Sequence, residues 1–438
     1  MNIPGLASAT GAQKNELILF YTLLELTIIV VAGRVGGALA RRIGQSAAVG
    51  EIVVGILLGP SLFGLVAPHA FDFVFHSAPP EPLTVLSNLG LVLLMFQIGM
   101  EFDFSHLTEP VNRAAVLRIS IACLTLPFAG GFGLGILIAH GAPPPARINT
   151  ALFVATALSI TALPMLGRIM MELNLTRTRV GVIAISAAAV NDVVGWLLLA
   201  LVTTLTVSEF VPSRFALRVA MVGAFGLVSV LLIRPLLKKA IRASPPGNGK
   251  VSANLLGGIL AVIFIAAMTT YKIGIFAIFG GFMMGVILFD ESELVTAWRD
   301  RLGDFVTVFF LPIFFTYTGL RTSIGGLATS SDWGWCAAIL AVATVTKLGG
   351  AYFMARRCGM DHPQSAMLGF MMNTRALMEL IVLNVGLDLG VITPKLFTML
   401  VIMAIVSTII TTPALRYFMP RAGLKTSGIG IEQPARGP

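Results

Sequence analysis

The chain has 438 residues, 56% of them apolar and 12% charged, with a mean hydropathy of +0.90. Soluble domains carry about 25% charged residues, so a single water-soluble core is excluded, as are a disordered chain, collagen and a coiled coil; an integral membrane protein remains. The excess of 30 Lys and Arg over 21 Asp and Glu reads as basic loops on one membrane face, not as a nucleic-acid surface.

Apolar runs of about 20 residues predict an all-α polytopic protein with thirteen transmembrane helices, at 16–40, 47–63, 83–101, 113–140, 148–172, 178–206, 216–240, 252–271, 273–289, 302–320, 333–356, 364–387 and 395–418. The connections are short, the largest being the Pro-interrupted stretch 64–82 and the charged stretch 290–301. Residues 419–438 read as a short disordered tail. No cleavable signal is legible at the N-terminus. Cys123, Cys336 and Cys358 have neither metal nor disulfide spacing.

Of the Lys and Arg residues, 17 fall in one set of alternating loops and 7 in the other, which puts the C-terminus in the cytoplasm. A weak internal repeat accompanies this alternation. Gly99 and Gly319 end similar spans before a charged exit, and the fifth and twelfth spans are each interrupted, near Thr161 and Asn373. Residues 16–206 would form a first six-helix repeat, 216–240 a linker helix, and 252–418 a second repeat of inverted topology, with two broken, crossing helices. Together they would make one membrane transporter unit.

Charges in mid-span are expensive and need a partner or a purpose. Asp192 stands in SAAAVNDVVGWLLLALV, next to Asn191, whose amide can bind a cation through oxygen or donate to a carboxylate. A desolvated carboxylate binds either a proton or a small cation, the minimum chemistry for exchanging one for the other. In the twelfth span, Arg375 and Glu379 share a helix face at i, i+4 and can balance each other's charge, while Asn373 and Thr374 help to interrupt the helix ahead of them. In the fifth span Ser159 and Thr161 precede Pro164, which breaks the helical ladder and frees hard oxygen ligands for an alkali cation.

Other polar residues carry less. Glu25 and Glu51 read as satisfied polar contacts, and Lys347 as a paired or snorkelling base without an assigned role. The histidines, His69, His76, His106, His140 and His362, fall in loops or at helix ends. There is no nucleotide-binding glycine loop, nucleophile elbow or metalloprotease helix, so neither an enzyme, a cofactor nor a metal beyond the transported ion is expected.

Four stretches resemble the monovalent cation:proton antiporter-2 family, particularly its plant cation/H+ exchanger-like and Kef-like members. They are QSAAVGEIVVGILLGPSLFG (45–64), SITALPMLGRIM (159–170), AAAVNDVVGW around Asp192, and NTRALMELIVLNVGL (373–387). Two positions depart from the family pattern: Ser46 stands for the usual Pro and Ala376 for the Gly after Arg. The resemblance implies thirteen helices divided into a six-helix core domain and a dimerisation domain, in a homodimer of the cell membrane, here a bacterial inner membrane, serving pH homeostasis. It implies exchange of Na+ or K+ for H+, with Asp192 as the binding carboxylate, Asn191 in place of a second acid, Thr161 at the cation site and Arg375–Glu379 as the balancing pair. With one titrating carboxylate, the expected exchange is electroneutral. A sodium-coupled carrier of a small organic anion is the alternative; it would need a second cation site and a roomier cavity, and neither is legible.

Overall fold

The structure is a computed structural model describing residues 11–77, 79–101, 110–176, 178–207, 212–245 and 251–424. His106 and tail residues 425–438 lie outside the described residues. Among the described residues every regular element is helical. The first part of the chain gives α1 (Gly11–Arg42), α2 (Ala47–Leu57), α3 (Phe63–Val66), α4 (Pro68–Phe75), α5 (Glu81–Glu101), α6 (Pro110–Ile138), α7 (Pro144–Ser159), α8 (Leu163–Glu172) and α9 (Arg179–Val207). Then follow α10 (Pro212–Val228), α11 (Arg234–Ala243), α12 (Ala253–Ile273), α13 (Ala277–Val286), α14 (Ser292–Trp298), α15 (Leu311–Leu320), α16 (Ser330–Arg357), α17 (His362–Met372), α18 (Leu377–Asp388) and α19 (Pro394–Phe418).

Each of the thirteen expected segments coincides with a helix or a helix pair. Among the described residues, nine helices are long and apolar enough to cross a membrane alone, ten with the bent pair Ser292–Gly303 and Val306–Gly326. The helices α2 and α13 are shorter than a bilayer requires, and α7/α8 is interrupted, so length and apolarity certify ten crossings and not thirteen.

Two expected connections turn out helical. Within 64–82, Pro68 occupies the first turn of α4, where a missing N–H does no harm. Phe71, Val74 and Phe75 then bury against Ile29, Leu83 and Ile313. His69 therefore lies on a helix, and His76, just past its end, meets Asp72 at 2.7 Å. Within 290–301, α14 forms because Trp298 packs edge-on against Phe96 with ring centroids 4.6 Å apart. Asp290, just before it, meets Arg234 at 2.8 Å and Lys238 at 2.5 Å. Burial opposes its ionisation, yet the two cations hold its carboxyl below the ordinary carboxylate range.

The helices sort into two bundles. One joins α1, α2, α5, α12, α13 and α15; the other joins α6, α7/α8, α9, α16, α17/α18 and α19, with α10/α11 running along α12. Between the bundles the backbones approach mainly from α2 to α8 and α19, and side chains join α15 to α18, where Asn384 donates to the Thr318 hydroxyl at 3.1 Å and accepts from Arg321 at 2.9 Å. Small residues bring helices together where lipid offers no hydrophobic drive. Gly319 of α15 sits against the backbone of Gly55 in α2, leaving no room for a Cβ. Gly99 of α5 faces Phe282 and Gly285 of α13 in the same way.

Candidate functional site

The site is where the broken helices of the second bundle cross. At Ile160 the chain leaves α7 in an extended conformation (φ −72°, ψ 144°), and it re-enters a helix at Leu163. Pro164 lies in the first turn of α8, so the break falls just ahead of it. The other break spans residues 373–376. There Ala376 takes φ 97°, ψ −107°, a conformation that L-residues rarely adopt. Only glycine takes it without a steric cost, so the alanine stores strain of about 1–3 kcal/mol.

The unwound segments satisfy each other. The Ala162 N–H donates to the Thr374 carbonyl at 3.0 Å, and the Thr161 hydroxyl donates to the Met372 carbonyl at 3.3 Å. Helix α19 supports the second break: the Arg375 N–H donates to the Thr408 hydroxyl at 3.3 Å, and the Thr374 and Thr411 hydroxyls are 3.3 Å apart. Irregular backbone at membrane depth persists only with such partners.

The carbonyls at the end of α7 are capped by two cations. The Arg375 guanidinium donates to the carbonyls of Ala157 (3.2 Å), Leu158 (2.9 Å) and Ala343 (3.3 Å), and meets Glu379 at 3.4 Å. The Lys347 ammonium donates to the Ser159 carbonyl and, at 3.0 Å, to that of Cys123. Both side chains are fully buried. The negative pole of α7 is thus capped by two basic side chains.

Asp192, on α9, is fully buried, and neither carboxylate oxygen has a hydrogen-bond partner among the described residues. The Leu163 N–H, at the positive pole of α8, and the Lys347 ammonium face it. In the same bundle the Asn191 amide nitrogen and the Asn373 amide oxygen are among the other polar atoms buried without a partner among the described residues.

The fold therefore gathers Thr161, Asn373, Thr374, Arg375 and Glu379 at one crossing, with Asp192 facing the start of α8. Ser159 is nearby, but its hydroxyl donates to Ala155 of its own helix at 2.6 Å; the group it offers the site is its carbonyl, held by Lys347. Arg375 sends three of its bonds to carbonyls and one to Glu379, so it is as much a helix cap as a charge partner. Sequence reasoning passed over Lys347 and the α19 hydroxyls. A lone lysine in mid-span was the available signal for the first; hydroxyls that bond across helices leave none.

A cavity of about 110 Å³ lies between α5 of the first bundle and α8 and α9 of the second. It is lined by Ile98, Glu101, Leu163, Gly167, Arg168, Met171, Thr176 and Ile185. Leu163, at its inner wall, is the residue whose N–H faces Asp192.

Residues 26–419 match the family described as "Sodium/hydrogen exchanger, transmembrane". The chain belongs to the sodium/hydrogen exchanger family. The Na(+)/H(+) antiporter NhaS4 of Synechocystis is 38% identical over 405 residues, covering 92% of this chain and 97% of that one. Cation/H(+) antiporter 17 of Arabidopsis thaliana is 36% identical over 94% of this chain, and K(+)/H(+) antiporter 1 of Saccharomyces cerevisiae 31% over 87%. This exchanger spans about half the length of those two relatives (50% and 45%). The solved sodium proton antiporter MjNhaP1 of Methanocaldococcus jannaschii shares its fold, with a TM-score of 0.69 at 15% identity, covering 94% of this chain and all of that one. Family membership makes the chain a transporter that exchanges cations for protons.

Proposed function

We propose that this exchanger carries Na+ or K+ against H+ by competition at Asp192. The observation that carries the reading is the pairing of an uncommitted, fully buried carboxylate with a helix crossing whose negative pole is already capped by Arg375 and Lys347. With the α7 carbonyls compensated elsewhere, Asp192 is free to take a proton or a cation. Thr161, whose hydroxyl donates to Met372, keeps its lone pairs available to a cation, and Asn191 and Asn373 supply amide groups in the same bundle.

The bundle holding the crossing moves against the other across the thin seam between them, exposing Asp192 to each side in turn. One carboxylate binds one positive charge at a time, because a second would stand uncompensated in a low-dielectric site. While Lys347 keeps its two carbonyl bonds, the exchange is therefore electroneutral. Residues 16–206 and 252–418 act as inverted repeats linked through 216–240, and each supplies three spans to each bundle and one broken helix. The first bundle forms the homodimer contact, the protein sits in the cell membrane, and the basic side carrying Arg41, Arg42 and the C-terminus faces the cytoplasm.

The test is reconstitution in vesicles with an imposed pH gradient, challenged in turn with Li+, Na+, K+ and Rb+. Wild type collapses the gradient with Na+ or K+, whereas Asp192→Asn, folded to the same extent, does not. Retained cation-dependent proton flux in that variant overturns the assignment.

A further inference from the structure

Glu51 has a partner that its span does not reveal. It lies on α2, in the first bundle, and its carboxylate grips Arg168 of α8, in the second, with two bonds: Oε2 accepts from Nη1 at 3.0 Å and Oε1 from Nη2 at 3.2 Å. The Glu51 side chain is 2% exposed and that of Arg168 is 21% exposed. Arg168 and Leu163 both line the cavity between the bundles, so a permanent positive charge stands on the wall of the cavity that would lead a cation toward Asp192.

A transported cation on that route meets Coulomb repulsion unless the guanidinium is neutralised. The other acid lining the cavity, Glu101, is engaged elsewhere: it accepts from Gln97 at 3.2 Å and lies 3.7 Å from Arg299. Glu172, one turn beyond Arg168, accepts from the Ser46 hydroxyl at 3.1 Å and shares the field of Arg168 without an ion-pair contact to it. Glu51 alone makes a two-point contact with Arg168, and both its oxygens are spent on it, so it is not a cation ligand.

We propose that Glu51 is a positioning residue of the exchange: by clamping Arg168 from the opposite bundle, it keeps the cavity wall from repelling the cation on its way to Asp192. The inference rests on Asp192 being the exchange site.

The experiment uses the full chain in vesicles, with initial proton flux measured against the concentration of the cation that wild type carries. The variants are Glu51→Gln, Arg168→Gln, their double and Asp192→Asn. Glu51→Gln raises the KM for the cation on the order of tenfold, the effect of one unit charge about 10 Å away at an effective dielectric constant near 20, with kcat within about twofold. The double variant, neutral at both positions, returns KM to near wild type, which a purely structural role for the pair would not do. Added choline chloride lowers the KM of Glu51→Gln by screening. An unchanged KM in Glu51→Gln, or a double variant that keeps the raised KM, overturns the proposal. Where Glu51→Gln is not recovered folded, Arg168→Gln carries the test: its KM stays level or falls, and a rise overturns the proposal. Exchange surviving in Asp192→Asn strikes the underlying site assignment, whatever the Glu51 variants do.

Discussion

Replacing Arg375 by alanine tests what holds the crossing together. The side chain makes four contacts in a fully buried site, three with the carbonyls of Ala157, Leu158 and Ala343 and one with Glu379. A hydrogen bond to a charged group contributes about 1.5–3 kcal/mol, and removing one partner of a buried ion pair costs about 3–5 kcal/mol. These contributions overlap, since one guanidinium serves all four, so the expected loss is about 3–5 kcal/mol. Thermal unfolding in detergent, followed by the monodisperse fraction on size exclusion, measures it. The second variant, Arg375→Ala with Glu379→Ala, separates the causes. If the ion pair dominated, removing both charges would restore most of the stability. Because three contacts go to carbonyls that water cannot reach, the double variant should recover less than half. An unchanged melting point in Arg375→Ala, or full recovery in the double variant, refutes this account of the crossing.

Three further outcomes are expected. Ala376→Gly should raise the melting point: at φ 97°, ψ −107°, far from any well for an L-residue, the strain relieved lies in the upper half of the range of about 1–3 kcal/mol, above the combined cost of about 1.3–1.8 kcal/mol from added chain entropy and lost methyl burial, and a lower melting point would remove the strain argument. In vesicles clamped at different membrane potentials, the equilibrium of Na+-driven proton movement should not shift; cation accumulation that tracks the potential would mean that Lys347 or another group titrates in the cycle. For Asp290, whose carboxyl Lys238 and Arg234 hold below the ordinary range, the stability advantage of wild type over Asp290→Asn should be full above about pH 4. It should close as the pH falls through the folded value, and a gap constant from pH 7 to pH 2 would contradict the pairing.

The sequence was most informative where chemistry and membrane depth conflict. Asp192, Arg375 and Glu379 are legible because a charge in an apolar run has few explanations. The broken helices are legible because Pro164 and the Asn373–Thr374 pair disrupt helical hydrogen bonding. Span positions follow from apolar runs, but α4 and α14 do not, since each packs on distant residues, Phe71 and Phe75 beside Ile29 and Ile313, and Trp298 on Phe96. Lys347 was visible as a charge but not as a cap, because its partners are the carbonyls of Ser159 and Cys123. Backbone acceptors carry no sequence signature. The Glu51–Arg168 pair spans 117 residues and joins two bundles, a relationship that only the three-dimensional arrangement supplies. At Ala376 the departure from glycine was plain, while the φ that makes it costly was not.

The thin seam between the bundles also bears on how substitutions combine. Energetic coupling between two positions fades once they share no partner and lie more than about 7–10 Å apart. The α5–α13 crossing and the α6–α16 contact belong to different bundles, so the effects on melting of substitutions deep in each should add. Positions 45–51, leading into α2 and through its first turn, should not behave this way, since Gln45 bonds the Ile409 carbonyl at 2.9 Å, Ser46 bonds Glu172 and Glu51 bonds Arg168. A destabilising change in this short stretch is therefore best offset by a change in its partner across the seam, and the same holds where Asn384 of α18 bonds Thr318 of α15 and Arg321 just beyond it.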